Sequence, residues 1–459
     1  MKTIRIGAGQ GFYGDSLLPA LDVARYGQVQ YISFDTLAEL TLAILQKGRA
    51  KDPNAGYAKD VVPAMKALLP LAREKGFRLV TNAGGINPSG ATRAVARVAQ
   101  ELGLSGLRIA TVTGDDILSR LDELTAAGAD LHDKDTGASL STVRDRLLFA
   151  NVYLGAEPIA RGLAQGADVV ITGRTTDTGQ FLGPLQYEFG WGPDDHDQMA
   201  AGILLGHLME CSGQVSGGNF SGDWWNVPDL ERIGFPIAEV SEDGTFILTK
   251  AEGTGGRVSV ETVKQQLLYE IHDPGTYITP DVIADFSRVR LEQVGPDRVR
   301  VSGARGRQAP PTLKALMGYS DGWMGEGYVS FCWPDAYAKA QRAEAIIRRR
   351  LEMWGVRPQE VLAEYIGVNH LHGGLSPAAD PELSEVRLRV AVRTGTRDEA
   401  EKVAREFPPL LLSGPPTASA IGGTPAPREL LGLWSCLIPR ELVEPGVKVV
   451  VEAVEEVAR

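Results

Sequence analysis

The amino-acid sequence predicts an α/β protein with a mostly parallel, doubly wound (Rossmann-like) sheet in its N-terminal half and an α+β domain in its C-terminal half. Two observations predict the first half: short β-branched runs alternate with helical patterns, and those runs are apolar on both faces. In the second half, hairpins and single helices replace the regular alternation. We therefore expect one domain over residues 1–235, with Gly- and Asp-rich loops at its strand ends, and another over 236–459.

Five strands are predicted in the first half, and helical patterns separate them. The strands are TIRIG (3–7), VQYISF (29–34), FRLVTN (77–82), LRIATV (107–112) and DVVITG (168–173). The helical patterns cover 16–26, 36–48, 57–75, 90–103, 116–127 and 142–165. Strands spaced by helices form βαβ units with right-handed crossovers, so we expect these five strands to be parallel in one sheet.

The second half combines a hairpin with single helices. Two strands, within 282–294 and 298–306, are separated by GPDR, a good hairpin turn. The remaining predicted elements are helices at 335–354 and 396–407 and strands at 386–394 and 446–454. This mixture is typical of an α+β domain.

Composition excludes several functions. The net charge of −11 over 459 residues disagrees with a protein that binds nucleic-acid phosphates, which needs a basic surface. There is no run of 18 apolar residues, so we expect no membrane partner. The N-terminal residues enter a strand pattern without a signal-peptide core, and the three cysteines lie far apart. We expect a cytoplasmic protein that forms a homo-oligomer.

The loop after the first strand, GAGQGFYGD, matches G-x-G-x-x-G at Gly9, Gly11 and Gly14, with Asp35 following at the spacing of a dinucleotide-binding motif. A nucleotide-dependent oxidoreductase is therefore one interpretation. Two large aromatic rings interrupt the loop, however, and Asp15 would put a carboxylate where a phosphate must bind. The sequence disfavours a dinucleotide and favours a tight turn that presents Asp15 as a cap or a site acid.

Every predicted strand of the first half ends in Gly, Asp or Asn residues. In an open parallel sheet, ligands bind at the carboxyl ends of the strands. A helix cap or a turn explains each cluster alone equally well, but five clusters on one edge predict a site. The candidate catalytic acids are Asp15, Asp115, Asp116 and Asp177, and the candidates for binding a substrate anion are Arg174, Asn82, Gly84 and Gly85.

These acids suit two kinds of chemistry. Adjacent carboxylates such as Asp115 and Asp116 can supply a general acid or base. Alternatively, grouped carboxylates hold a hard cation such as Mg²⁺, with Asp35 as the candidate ligand. Arg174 suits a substrate carboxylate or phosphate, and its other explanation is an ion pair with a neighbouring Asp.

Other candidates lie outside the predicted sheet edge. Gly255 and Gly256 precede a helix and could bind an anion through their N–H groups. Asn219, in a loop rich in Gly and aromatic residues, is a further candidate for binding the substrate or an anion. Cys211 follows an apolar helix, where cysteines are usually inert packing residues. The nearby His207 and Glu210 keep a nucleophilic role for Cys211 open, because a nucleophile needs a base.

Long stretches of the sequence resemble the acyclic terpene utilisation (AtuA-like) family. These stretches are RIGAGQGFYGD, FDTLAELTLAIL, VTNAGGINP, ANVYLGAEPIARGLAQGADVVITGRTTDTGQFLGPL, AAGILLGHLMECSGQVSGGNF and the segment from TKAEGTGGRVS to VSGARG. The resemblance covers most of the chain and is strongest over residues 4–306. In the opening loop it rests on GFYGD and not on the three spaced glycines. Many family members carry a further small ferredoxin-fold domain with an SGDKGD-type motif, and that motif is absent from this sequence.

The resemblance implies an enzyme of acyclic terpene and branched-chain acyl-CoA catabolism, with CoA as part of the substrate and a small acid or acyl-CoA as its ligand. We expect a lyase or hydratase-type step by carboxylate acid/base chemistry at the carboxyl edge of the sheet. The alternative is a non-catalytic acyl-CoA-binding or assembly subunit of a carboxylase-associated complex. A separate small ferredoxin-fold subunit and carboxylase-pathway proteins are the implied partners.

Overall fold

A ten-stranded mixed sheet organises most of the chain in a computed structural model that describes residues 2–380, 382–420 and 422–457. The strands are β1 (Thr3–Gln10), β2 (Tyr31–Phe34), β3 (Arg78–Thr81), β4 (Arg108–Thr113), β5 (Leu147–Val152), β6 (Val169–Ile171), β7 (Pro236–Ser241), β8 (Phe246–Lys250), β9 (Tyr277–Ile278), β10 (Ile283–Asp285), β11 (Arg290–Gly295), β12 (Arg298–Ser302), β13 (Arg305–Arg307), β14 (Thr312–Cys332), β15 (Glu360–Ile366), β16 (Glu385–Thr394), β17 (Arg428–Pro439) and β18 (Lys448–Ala453).

The helices precede, separate and follow these strands. They are α1 (Leu18–Tyr26), α2 (Glu39–Arg49), α3 (Val61–Lys75), α4 (Pro88–Glu101), α5 (Leu121–Ala126), α6 (Glu157–Ala164), α7 (Gly179–Phe189), α8 (His196–Met209), α9 (Val260–Leu268), α10 (Ala336–Met353), α11 (Arg397–Arg405), α12 (Leu410–Ser413) and α13 (Val454–Val457). Among the described residues, no helix has the length and apolar character that crossing a membrane requires.

The large sheet has the strand order β11-β12-β8-β7-β1-β2-β3-β6-β4-β18. Its middle strands, from β1 to β4 in that order, pair in parallel. The strands on both sides of them pair antiparallel, with β7 beside β1 and β18 beside β4. The α/β class is therefore confirmed, and the sheet is more antiparallel than the sequence predicts. The doubly wound, Rossmann-like arrangement stays a prediction.

The five strands predicted in the first half are the five parallel strands. They are short and buried on both faces, as β2 and β6 show, because helices and loops cover both sides of a parallel sheet. The strand β6 lies between β3 and β4, so the strand order does not follow the sequence order. This crossover brings the segment after β6 next to the segments after β3 and β4.

One predicted helix was wrong. The pattern over 142–165 is a strand, β5, followed by the shorter helix α6. Residues 147–152 are an apolar run of the length of a strand, and such runs do not show by periodicity alone whether they form a helix or a strand. These residues form a strand because they pair with β14.

The chain divides into two compact units. The first comprises residues 1–142, 149–317 and 434–459 and contains the ten-stranded sheet. The second comprises residues 143–148 and 318–433, and its core packs α10 and α11 against β16. The predicted hairpin of β11 and β12 is confirmed and belongs to the first unit. The domain boundary at residue 235 stays a prediction.

Candidate functional site

Polar side chains at the carboxyl ends of β1, β2 and β3 form one hydrogen-bonded chain. The Thr36 hydroxyl donates to Gln10 Oε1 (3.2 Å), and the Thr36 backbone N–H donates to Asn82 Oδ1 (2.7 Å). The Asn82 amide in turn donates to Asp35 Oδ1 at 2.6 Å. All four side chains are buried. Asp35 is therefore held in place by groups from the neighbouring strand ends.

Asp35 belongs to a group of three acids, which we call the carboxylate cluster: Asp35 after β2, Asp177 before α7 and Glu210 after α8. One carboxylate oxygen from each lies within 4.8 Å of those of the other two. Asp35 and Glu210 are buried, whereas Asp177 is partly exposed. Because like charges this close repel each other, three such carboxyls either keep one or more protons or bind a cation.

Burial is the largest cause that raises the pKa of each cluster carboxyl. The charge of Asp177 raises the pKa of Asp35 and of Glu210 further. The Arg174 charge acts in the opposite direction on all three groups and does not cancel the effect of burial. The cluster therefore favours keeping protons at a pH where an exposed carboxyl has lost its own.

Arg174 is the buried cation beside this cluster, with 1% of its surface exposed. Its Nη1 donates to Asp177 Oδ1 (2.9 Å) and to the Leu37 carbonyl (2.7 Å), and the guanidinium carbon lies 4.0 Å from the centre of the Tyr153 ring. The Tyr153 hydroxyl donates to Glu39 at 2.6 Å. Burial alone would raise the pKa of Glu39, but the Tyr153 hydroxyl and the Arg174 charge lower it to about 2. Glu39 is thus a permanent anion, unlike the cluster acids.

His207 lies on the helix side of the carboxylate cluster, in the last turn of α8. Its Nδ1 is 3.4 Å from Glu210 Oε1. The rings of Tyr277 and Phe286 lie 5.5 and 6.1 Å away between centroids. Burial lowers the pKa of His207, so its imidazole is neutral at neutral pH.

Cys211 follows Glu210 directly. Burial raises the pKa of its thiol to about 12, and the charges of Glu210 and Asp35 contribute in the same direction. The thiol is therefore protonated at neutral pH, in a setting unlike the electropositive surroundings that activate a cysteine nucleophile.

Asp115 and Asp116 are placed differently, although they are adjacent in sequence. Asp115 Oδ2 accepts hydrogen bonds from the Arg174 backbone N–H and the Asn151 amide, both at 2.8 Å. Burial raises the pKa of Asp115 to about 6. The Asp116 side chain is 49% exposed and lies 3.9 Å from Arg49. The pair therefore divides into a buried acid and a surface acid.

Asp15 closes the loop after β1. Its Oδ2 accepts hydrogen bonds from the Gly11 N–H (2.9 Å) and the Ser212 hydroxyl (3.0 Å). The Gly14 N–H donates to Asp60 Oδ2 at 2.6 Å. The backbone donors that would hold a pyrophosphate in a dinucleotide site thus bind carboxylates of the chain itself.

Gly84 and Gly85 shape the turn after β3. A Cβ atom on Gly84 would lie 2.3 Å from the Thr172 carbonyl oxygen, so only glycine permits this approach of the two backbones. Gly85 has a φ of +55°, and its N–H donates to the Asn82 carbonyl at 3.1 Å. The two glycines bring the segments after β3 and β6 together next to Asn82.

The other predicted anion-binding residues make local contacts. The N–H groups of Gly255 and Gly256 donate to backbone carbonyls of a neighbouring loop at 2.8 and 2.7 Å. The Asn219 carbonyl accepts a hydrogen bond from Gln265 in α9 at 2.9 Å. Among the described residues, these contacts do not involve the carboxylate cluster.

Five sequence-predicted residues are linked by direct contacts: Asp35, Asn82, Asp115, Arg174 and Asp177. The sequence prediction missed the role of Glu210, which it considered only as a neighbour of Cys211. Tyr153 and Glu39 were also missed as partners of Arg174. In the sequence, only their positions could have indicated them. Tyr153 lies in ANVYLG and Glu39 in FDTLAE, and both stretches lie beside predicted strands or helices.

Neither the curated proteins nor the solved structures contain a match to this chain. A family model described as "Acyclic terpene utilisation family protein AtuA" matches residues 4–449 and so includes every residue of the carboxylate cluster. The chain therefore belongs to the acyclic terpene utilisation family.

Proposed function

We propose that this chain is an enzyme of acyclic terpene utilisation that adds water to, or eliminates a group from, a branched acyl thioester or a related acid at the carboxylate cluster. The observation that carries the proposal is the close grouping of Asp35, Asp177 and Glu210 beside one buried arginine. Burying uncompensated acids costs stability, so such groups are found mostly where chemistry needs them. The family supports the substrate class, through its description as a terpene utilisation family.

The cluster offers an acid and a base within one site. Water addition to an unsaturated thioester needs a base that takes a proton from water and an acid that delivers one to carbon. Asp177 is the cluster member with solvent access and serves as the base, held by Arg174. Glu210, buried beside neutral His207, keeps its proton and serves as the acid. The Arg174 Nε, which lacks a hydrogen-bond partner among the described residues, is left to bind a substrate oxygen.

The experiment is a turnover assay of the purified full-length chain on branched enoyl-CoA and 3-hydroxyacyl-CoA thioesters, followed by the absorbance of the conjugated thioester. We expect turnover by the wild type and a loss of about 100-fold or more in kcat for Asp177→Asn, because general acid–base groups contribute about 10²–10⁴-fold. Asp130→Asn is the matched control, since Asp130 is a surface acid whose side chain is 78% exposed.

Other results would contradict the proposal. Full activity of both Asp177→Asn and Glu210→Gln, with each variant folded, would remove the cluster from the reaction. Activity that appears only with added Mg²⁺ and disappears with a chelator would show that the cluster binds a cation and does not keep protons. No turnover by the chain alone, with copurification of carboxylase-pathway proteins or a small ferredoxin-fold subunit, would favour the non-catalytic subunit. A thermal shift with a nicotinamide cofactor would favour an oxidoreductase.

A further inference from the structure

A second concave site lies beside α4, apart from the carboxylate cluster. It is a cleft of about 370 Å³ between the segment 52–59 and the first turns of α4. Its lining includes Tyr57, Lys59, Arg93 and Arg97. A volume of this size admits a small ligand or one end of a longer one.

The side chain of Asn87 joins the two walls of the cleft. The Asn87 amide donates to the carbonyls of Asn54 (3.2 Å) and Ala55 (2.8 Å), and Asn87 Oδ1 accepts from the Gly90 N–H (3.0 Å). Asn87 is also the N-cap of α4, so the same residue ends the loop and begins the helix. These hydrogen bonds within the chain therefore fix the shape of the cleft.

The charge of the cleft is unusual for this protein. Lys59, Arg93 and Arg97 are exposed cations in a chain of net charge −11, and none has an ion pair or hydrogen bond among the described residues. Arg93 and Arg97 lie one helical turn apart, where like charges repel each other. The acid in the lining, Asp52, accepts a hydrogen bond from the Asn54 N–H at 2.9 Å. The three cations thus remain available to an anion.

Two further features match a phosphate-bearing ligand. The guanidinium group of an arginine can donate two parallel N–H hydrogen bonds to two oxygens of one phosphate. The 14-residue helix α4 begins at the cleft, so its positive N-terminal end adds to the field of the three cations. The Tyr57 ring in the lining provides a surface on which a planar base can stack.

The cleft and the carboxylate cluster flank the same turn. Asn82 at the start of the turn binds Asp35 of the cluster, and Asn87 at its end holds the cleft together. Residues five apart in a chain are separated by at most about 18 Å. A ligand anchored by its phosphates in the cleft therefore has a short distance to cover to the cluster.

We propose that this cleft binds the phosphate groups of the substrate's carrier, a phosphorylated nucleoside joined by a flexible arm to the reacting acyl group. The inference rests on the proposed function for the arm and the acyl group. The phosphate-binding step is argued from the cleft itself and does not depend on the proposed function.

The test measures binding without turnover, by calorimetry on the full-length chain with adenosine 3′,5′-bisphosphate, inorganic pyrophosphate and sulfate. We expect the two phosphate ligands to bind, and the double variant Arg93→Ala/Arg97→Ala to lose at least tenfold in affinity. Arg25→Ala, which removes an exposed arginine from α1, is the matched control and keeps the affinity. Tighter binding of the bisphosphate than of pyrophosphate identifies the nucleoside as part of the ligand.

Asp177→Asn separates this inference from the proposed function. We expect it to lower kcat by about 100-fold or more and to leave the affinity for the bisphosphate unchanged, because Asp177 belongs to the cluster and not to the cleft. Equal affinity of the wild type and the double variant would overturn the inference. Sulfate binding as tight as that of the phosphates, or no binding of the bisphosphate at millimolar concentration, would also overturn it.

Discussion

Charge compensation among single residues explains most of the candidate site. Arg174 is the cation beside the carboxylate cluster, and its Nη1 donates hydrogen bonds to Asp177 and to the Leu37 carbonyl. Glu39 accepts a hydrogen bond from the Tyr153 hydroxyl, and the Arg174 charge also stabilises the Glu39 carboxylate. Burial raises the pKa of Asp35 and of Glu210, and the Arg174 charge does not offset it, so both carboxyls favour the protonated form.

Asp115 gives a prediction about pH at this scale. Its pKa is raised to about 6 in the folded chain, so the folded state binds its proton more tightly than the unfolded state does. That contribution to stability is complete below the ordinary pKa of an aspartate and is lost as the pH rises through about 6. An asparagine has no such proton to lose. We therefore expect the free energy of unfolding of Asp115→Asn, relative to that of the wild type, to rise by up to about 3 kcal/mol between pH 4 and pH 8.

Urea unfolding at both pH values measures this difference. The neighbouring surface variant Asp116→Asn, measured at the same two pH values, is the control for the exchange of an aspartate for an asparagine. If Asp115→Asn is destabilised equally at both, hydrogen bonding to the Arg174 N–H and not the buried charge decides the role of Asp115.

At the scale of elements, the turn after β3 decides how closely two strand ends approach. Gly84→Ala would place a methyl group 2.3 Å from the Thr172 carbonyl and 2.9 Å from the Cα atom of Pro88. Because both are backbone atoms, the turn itself must move. We expect a loss of about 1–3 kcal/mol in the free energy of unfolding, the usual cost of overpacking.

Gly48→Ala in α2 is the matched control for the same measurement. The nearest atom to its new methyl group would be Ala55 Cβ at 3.9 Å, and an alanine in a helix stabilises by about 0.5–1 kcal/mol over glycine. Equal unfolding free energies for the two variants would show that the turn adapts without cost.

The hairpin of β11 and β12 and the error over 142–165 show what local patterns decide. The residues of GPDR themselves favour a tight turn, so the hairpin can be predicted from residues that are adjacent in sequence. The apolar run of β5 has no such local signal. Its conformation is decided by pairing with β14, more than 150 residues further along the chain.

Over the whole molecule, the C-terminal strand completes the large sheet. Six residues of β18 pair with β4, the last parallel strand, and Val449 and Val451 lie opposite Val112 and Ala110. Removing residues 448–459 would expose the edge of β4 and lose six cross-strand pairs, each worth roughly 0.2–1 kcal/mol. We expect a lower thermal unfolding temperature and concentration-dependent aggregation, because an unpaired strand edge pairs with other chains.

Differential scanning calorimetry and light scattering measure the two effects. An unchanged unfolding temperature after loss of β18 would show that the sheet is stable without its last strand.

The sequence by itself determined the α/β class, the five parallel strands, the family and most of the polar residues at the sheet edge. These follow from periodicity, from turn residues and from long motifs, all of which are properties of neighbouring residues. Only the tertiary structure decided that Asp35, Asp177 and Glu210 form one cluster, that Asp115 is buried while Asp116 is not, and that Arg174 binds Asp177. The physical reason is that these contacts join segments far apart in the chain, through a strand order in which β6 lies between β3 and β4.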